Sequence, residues 1–231
     1  MQIIWHGQSC FQILASQGKN NQARLSFTSR NLGGQTGIVV DPFDETIGLK
    51  PPKLEADILL ITHNHHDHNN AKAVSGSPFL IKGPGEYEVK GIYVQGVPAF
   101  HDNSQGKERG TDTIYTIETE DLKLCHLGDL GQNELTAEQL EKIGDVDILM
   151  IPVGGFSTIS AKEALKIMAQ IEPKITIPMH YFVPKLKQTK FDGVDKFLKV
   201  LGIKKIEALN KLTIKKKDIS SEEARIIILK P

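Results

Sequence analysis

Four of the chain's eight histidines fall within six positions, in the run Thr62-His63-Asn64-His65-His66-Asp67-His68. Neutral imidazole is a common ligand for transition metals, and a carboxylate such as Asp67 adds a hard, anionic oxygen. A helical zinc motif would read His-Glu-x-x-His, which is absent here. A purification tag would need no Asp at a fixed place and would lie at a chain end. The cluster instead follows the apolar run Ile58–Ile61 directly. Loops at the ends of buried strands are where a rigid scaffold presents functional side chains. The run therefore reads as a set of metal ligands.

Three more potential ligands stand in the same situation. His101 follows Val94–Phe100, Asp129 follows Leu122–Leu127 within Leu127-Gly128-Asp129, and His180 follows Ile175-Thr176-Ile177-Pro178-Met179. If these apolar runs are neighbouring strands of one sandwich, their ends converge on one edge and form one site.

The elements that must position these groups are mostly short β-type runs separated by Gly, Pro and Asp turns. They are Ile38–Val40, Ile58–Ile61, Ile92–Val94, Thr113–Ile117, Leu122–Leu127, Ile148–Ile151, Ile175–Ile177 and Ile226–Leu229. Helices are expected at Thr136–Ile143 and Ser160–Ile171, each opening on a capping-box pair, Thr136 with Gln139 and Ser160 with Glu163. A third apolar helix face is read from Phe191, Val194, Phe197, Leu198 and Leu201. Ala56-Asp57-Ile58-Leu59-Leu60-Ile61 echoes Val146-Asp147-Ile148-Leu149-Met150-Ile151, which fits either a duplicated half or the common look of doubly buried strands.

Composition narrows the function classes. At 231 residues the chain is long enough for a sizeable core without disulfides or a structural metal. Lys+Arg and Asp+Glu each number 28, so a globally basic nucleic-acid binder is disfavoured. The charge is uneven: residues 174–217 hold twelve lysines against three acids. That segment is either a solvated face or a positive field near a site that takes an anionic substrate. Two cysteines, Cys10 and Cys125, form no framework and read as small core residues in a reducing compartment. With no signal-peptide pattern at Met1–Gly7 and no apolar run near the ~20 residues a membrane span needs, the expected setting is cytoplasmic.

The order His-x-His-x-Asp-His, then His, Gly-Asp and His, resembles the metallo-β-lactamase-fold superfamily of hydrolases. Other stretches resemble its ascorbate-6-phosphate-lactonase-like branch and bacterial relatives: Ile4-Trp5 to Ser9-Cys10-Phe11, Val39-Val40-Asp41-Pro42, Gly83-Pro84-Gly85-Glu86-Tyr87, Pro98-Ala99-Phe100-His101 and Ile177-Pro178-Met179-His180-Tyr181. The resemblance runs from Met1 to about Tyr181 and implies an α/β (α+β) fold, a four-layer αββα sandwich of two mixed β-sheets. The whole chain, 1–231, is then one domain with two pseudo-related halves meeting near residue 110. The resemblance also implies two divalent metal ions, Zn²⁺ first, with Mn²⁺ or Fe²⁺ as alternatives. His63, His65 and His101 would hold one ion, Asp67, His68 and His180 the other, and Asp129 would bridge them. His66 occupies a variable place in the motif. Asp41 either orients a ligand histidine through its other ring nitrogen or caps a turn at a strand end. Relatives often read Gly-His-Ser near the N-terminus where this chain has His6-Gly7-Gln8-Ser9, so His6 is read as structural. His126 is expected to alternate away from the site or to pack nearby.

The implied chemistry is hydrolysis. Bound Zn²⁺ lowers the pKa of water from about 15.7 toward ~7, and Asp67 and Asp129 are the expected catalytic carboxylates. The expected substrate is a small, anionic ester, lactone or phosphodiester. Alternatives within the same ligand motif are a nuclease, disfavoured by the neutral net charge, and an iron-dependent oxidase or sulfur dioxygenase. No membrane partner is expected, and self-assembly into a homo-oligomer is left open.

Overall fold

The structure, a computed structural model, describes residues 1–16, 34–219 and 223–231. Fifteen strands and three α-helices follow in order: β1 (Gln2–Trp5), β2 (Phe11–Ser16), β3 (Gln35–Val40), β4 (Leu54–Glu55), β5 (Ile58–Ile61), β6 (Val74–Ser75), β7 (Phe79–Lys82), β8 (Gly85–Val89), β9 (Ile92–Phe100), β10 (Thr111–Thr119), β11 (Leu122–His126), α1 (Ala137–Ile143), β12 (Ile148–Pro152), α2 (Ala161–Ile171), β13 (Ile175–Met179), α3 (Val194–Val200), β14 (Leu212–Thr213) and β15 (Arg225–Ile226). Two mixed sheets carry the fold, in the orders β14-β1-β2-β3-β5-β7 and β15-β13-β12-β11-β10-β9-β8, and β4 pairs with β6 apart from them. The mixed α+β architecture expected from the sequence is therefore present. All three described α-helices lie in the second half of the chain. The described residues of the first half include short 3-10 turns at Glu45–Ile47 and Ala71–Ala73.

Sequence pattern explains the arrangement of strands. β5, β12 and β13 are buried at every residue, as continuous apolar runs must be when both faces are covered. They lie inside their sheets with parallel neighbours: β3 and β7 flank β5, and β11 and β13 flank β12. β2 alternates buried and partly exposed positions and pairs antiparallel with both β1 and β3. Each fully buried Ile or Leu adds roughly 1.5–3 kcal/mol, so these central strands are the stiffest support the chain can offer a site.

The two echoing hexapeptides occupy equivalent positions. Asp57 exchanges bonds with Gly37 of β3, and Asp147 does so with Lys123 of β11. In each case the aspartate backbone N–H donates to the strand carbonyl (2.8 and 2.9 Å), and the strand N–H donates back to the carboxylate (2.9 and 3.0 Å).

Helix boundaries follow the caps. Thr136 and Gln139 form the expected reciprocal pair before α1, and the Glu163 carboxylate accepts from the Ser160 N–H before α2. The third helix starts later than its periodicity suggests. Gly193 is its N-cap, and Phe191, three residues before the first turn, packs instead on the ring of His180 with centroids 4.7 Å apart. The C-terminal apolar run forms only the two-residue β15, with Leu229 making an isolated bridge to Leu209. No helix among the described residues is long and apolar enough to cross a membrane.

Tyr115 of β10 joins the sheets beneath the site. It is fully buried, donates its hydroxyl to the Ile61 carbonyl (2.9 Å) and accepts from the Gly83 N–H (2.9 Å). Ile61 ends β5 two residues before His63, so this bond fixes the strand end from which the histidine run departs.

Candidate metal centre

Strand direction brings the candidate ligands together. β9, β11, β12 and β13 point the same way, because β10 is antiparallel to both β9 and β11 and the rest are parallel. His101, Asp129 and His180 therefore leave one edge of their sheet. His63 and its neighbours leave the end of β5, and Asp41 leaves the end of its parallel neighbour β3.

All seven predicted side chains meet. Ligand atoms of His63, His65 and His101 lie within 4.8 Å of one another, as do those of His63, His68 and Asp129 and those of Asp67, His68 and His180. Asp129 is the hub. Its Oδ2 lies 3.1 Å from His180 Nε2, 3.3 Å from His68 Nε2 and 3.4 Å from His101 Nε2. On one side His63 Nε2 and His65 Nδ1 stand 3.0 Å apart, and on the other Asp67 Oδ2 is 3.5 Å from His68 Nε2. His66 is exposed on the rim of a neighbouring cleft and joins none of these groups. His6 lies outside them too.

Neighbouring side chains hold the imidazoles in place. The buried Asp41 accepts from the Thr62 N–H (2.8 Å) and the Thr62 hydroxyl (2.7 Å), and its Oδ2 is 2.9 Å from His68 Nδ1. Of its two sequence readings, orientation of a ligand histidine is the one its contacts support. With a proton on Nδ1, His68 presents the Nε2 lone pair inward, where that buried atom has no hydrogen-bond partner among the described residues. For His63 the Thr62 hydroxyl lies 3.0 Å from Nδ1, and Asp112, which sequence reasoning missed, stands beside the same nitrogen with Oδ1 at 3.4 Å, an ion-pair distance rather than a hydrogen bond.

His126 packs beside the centre, the second of its two sequence readings. It is fully buried, its Nε2 lies 2.9 Å from the Ser9 carbonyl, and its Nδ1 accepts the Gly128 N–H at 3.1 Å. The Ser9 hydroxyl in turn donates to Asp129 Oδ1 (3.2 Å). His126 thus ties together the two backbone segments that hold Asp129. Gln8, the other residue missed, directs its amide nitrogen at His180 Nε2 (2.8 Å) and Asp67 Oδ2 (3.0 Å).

Charge tests whether divalent cations fit. Four carboxylates crowd this space: Asp41, Asp112 and Asp129 are buried, and Asp67 is partly so. Among the described residues their ion-pair partners are histidines: His68 for Asp41 and Asp67, His63 for Asp112, and His68, His101 and His180 for Asp129. Uncompensated buried charge is costly, so such a cluster calls for cations. Protons report the same imbalance. Burial works against a charged His68, but the carboxylates of Asp129, Asp67 and Asp41 outweigh it and raise its pKa well above the usual histidine value. Burial likewise opposes an ionised Asp129, yet His180 and His68 hold it well below the usual carboxylate range. Inward-facing imidazole nitrogens around a shared carboxylate are a donor set that divalent transition metals accept.

The loop after His101 is anchored by Asp102, whose carboxylate accepts from the N–H groups of Ser104, Gly106, Glu108 and Arg109 at 2.7–3.0 Å. Desolvation opposes that charge, but the four donors win and hold its pKa down to about 2.

Two clefts flank the centre. One of about 370 Å³ reaches Gln8 and Asp67 between Ile47, Phe156, Leu186, Lys187 and Phe191. Another of about 350 Å³ reaches His63 and Asp112 past Lys82, Pro84 and Pro98. A larger groove of about 1070 Å³ lies at the opposite strand ends among Glu118, Asp121, Asp145 and Glu172, and holds none of the seven residues. Of the Lys-rich segment, Lys187 lines a cleft and Lys190 caps the Phe156 ring at 4.9 Å, while Lys196 and Lys216 pair with Asp192 and Asp147. Both cysteines are free and buried.

Comparison with known proteins agrees with this geometry. A beta-lactamase superfamily domain matches residues 25–180. A UPF0173 metal-dependent hydrolase of Thermococcus onnurineus is 33% identical over 184 residues, 68% of this chain and 82% of that protein. A second, from Thermoplasma volcanium, is 30% identical over 211 residues, 78% of this chain and 83% of that protein. A solved structure from Thermotoga maritima, described as a candidate Zn-dependent hydrolase of the metallo-β-lactamase superfamily, superposes with a TM-score of 0.73 at 33% identity. It covers 99% of this chain and 98% of its own.

Proposed function

Because this chain belongs to the metallo-β-lactamase superfamily and is a metal-dependent hydrolase of it, we propose that it cleaves an ester, lactone or phosphodiester bond in a small anionic substrate, at a centre holding two divalent cations. The observation that carries this reading is Asp129 Oδ2, set 3.1–3.4 Å from three imidazole nitrogens on three separate segments. One cation would be held by His63, His65 and His101, the other by Asp67, His68 and His180, with Asp129 shared. Four carboxylates and two dications balance in charge. Zn²⁺ suits the imidazole-rich position, and Mn²⁺ or Fe²⁺ can replace it. Such cations supply Lewis acidity and make water nucleophilic near pH ~7.

The chain's own groups supply the rest. Asp67 is the most exposed of the four site carboxylates, its side chain at 20%, and it faces the cleft that Lys187 lines. It is placed to take a proton from water and return it to the leaving group. Asp41, Thr62 and Asp112 keep His68 and His63 turned inward. Lys187 is the group in that cleft able to attract a substrate anion. Phe156 is half exposed and held at a left-handed φ of 61°, with Lys190 over its ring and Phe191 behind it. With Ile47 and Leu186 it offers an apolar wall, so the favoured substrate carries an apolar portion beside its anionic group.

The test is a panel of activated esters, lactones and phosphodiesters given to metal-loaded protein, with His65→Ala as control. At least one compound should be hydrolysed, and His65→Ala should abolish that activity, because a lost ligand removes the cation that would activate water. A metallated protein inert across the panel, or a fully active His65→Ala variant, overturns the reading.

A further inference from the structure

We propose that Gln8 is a protein ligand of the second cation position, through its side-chain amide oxygen. The proposal rests on the two-cation reading above and extends it to a residue outside the histidine motif. Gln8 lies in the turn between β1 and β2 and is only 2% exposed. Its backbone is held on both sides: the Trp5 indole N–H (2.9 Å) and the His180 N–H (3.0 Å) both donate to the Gln8 carbonyl. The Trp5 ring also packs on Tyr181, centroids 4.9 Å apart. This clamp keeps Gln8 at a left-handed φ of 52°, a strained conformation for a side-chain-bearing residue, and aims its amide into the centre.

The amide end is the informative part. Its nitrogen stands 2.8 Å from His180 Nε2 and 3.0 Å from Asp67 Oδ2, while its oxygen is buried with no hydrogen-bond partner among the described residues. A half-turn about the last side-chain bond exchanges the two ends. The oxygen then sits at those same distances from one nitrogen and one oxygen that belong to the second position. Donors at right angles around a cation with bonds of about 2.1 Å are separated by about 3.0 Å, whereas tetrahedral donors stand about 3.4 Å apart. The Gln8 spacings match the right-angled case. The half-turn also removes a conflict, since an amide N–H pointed at His180 Nε2 competes for the lone pair that a cation needs.

The consequence is an asymmetric centre. The first position has three imidazoles and the shared Asp129, a set that suits four-coordinate zinc. The second gains three oxygens, from Gln8, Asp67 and Asp129, beside the nitrogens of His68 and His180. An oxygen-rich set of five protein donors suits Mn²⁺ or Fe²⁺ at higher coordination number.

Titration of Co²⁺ into chelator-stripped protein tests this without substrate, reading the affinity of each equivalent by competition and coordination number by visible absorption. Gln8→Leu should weaken the second equivalent by at least about tenfold, leave the first unchanged, and intensify the spectrum, because Co²⁺ absorbs more strongly as its coordination number falls. Gln8→Glu gives the sign. An anionic oxygen ligand should tighten the second equivalent, whereas a Gln8 that merely donates an N–H to Asp67 would become a repelling carboxylate and weaken it. Weakening in Gln8→Glu, or unchanged binding and spectrum in Gln8→Leu, overturns the proposal alone. A wild-type protein that takes up only one equivalent overturns it together with the two-cation reading.

Discussion

Replacing Asp41 with Asn changes one atom of a fully buried side chain and should uncouple the second cation position from the first. Asp41 Oδ1 accepts the Thr62 N–H at 2.8 Å, while Oδ2 is shared by the Thr62 hydroxyl at 2.7 Å and His68 Nδ1 at 2.9 Å. In Asp41→Asn the amide oxygen keeps the first bond. The amide NH₂ then faces His68 Nδ1 and can only donate to it. His68 must move its proton to Nε2, the atom 3.3 Å from Asp129 and 3.5 Å from Asp67. A protonated Nε2 has no lone pair for a metal. Loss of such an orienting carboxylate costs about 10–100-fold in metal affinity, or about 1.4–2.7 kcal/mol. The expected result is therefore a second metal equivalent weakened by that factor. The first should lose less, because Asp41 reaches His63 only through the Thr62 hydroxyl, 3.0 Å from His63 Nδ1, and Asp112 stands beside the same nitrogen. Chelator competition measures both affinities, and ¹⁵N spectra of the histidine rings report the tautomer. Equal loss at both positions, or an Nε2 of His68 that stays unprotonated with binding intact, refutes this account of how Asp41 acts.

Gly128→Ala should destabilise the chain by about 2 kcal/mol or more, since Gly128 has a φ of 56° and an added Cβ would stand 2.5 Å from both carboxylate oxygens of Asp112; thermal unfolding of the metal-free protein checks it. Burial holds the pKa of His126 below the usual histidine value, so the unfolded chain takes up that proton at higher pH than the folded one and stability is lost as pH falls below about 6.5. Denaturant titrations of metal-free protein between pH 8 and 5.5 should show a steeper acid loss for wild type than for His126→Gln, and parallel curves would count against it. Lys187→Ala should raise KM for an anionic substrate, leave kcat within a few-fold, and reduce the dependence of kcat/KM on ionic strength, with an unchanged salt dependence speaking against a steering role.

The candidate ligands were legible in the sequence because each follows an apolar run, and the runs are strands whose ends meet. His63, His101, Asp129 and His180 all obey that rule. Asp112 does not. It lies at the start of β10, the antiparallel strand that enters the site edge where its neighbours leave, so no apolar run precedes it. His126, within the apolar run Leu122–Leu127, reads as turned away or packed nearby; the second reading holds, and only the third dimension shows its two ring nitrogens bridging Ser9 and Gly128. Gln8 carries no titratable group and sits 172 residues from the His180 ring it touches, and its one mark in the sequence is its place in Gly7-Gln8-Ser9, where relatives often read Gly-His-Ser. Phe191 kept its helical spacing but lost its helix, because Gly193 caps α3 after it and the His180 ring offers it a packing partner.

Backbone strain is a layer that residue types alone do not record. Gln8, Asp41 and His180 adopt left-handed φ angles of 52°, 47° and 51°, and all three meet at this centre. Each non-glycine residue in that region costs on the order of 1–3 kcal/mol, so the fold must hold them there by other contacts. Those contacts are visible. The Leu60 carbonyl takes the Asp41 N–H, and the Gln8 carbonyl receives both the Trp5 indole and the His180 N–H. None of these restraints involves a cation. These hydrogen bonds restrain the backbone at Asp41, His180 and Gln8, so part of the aim of the donor set comes from contacts within the chain.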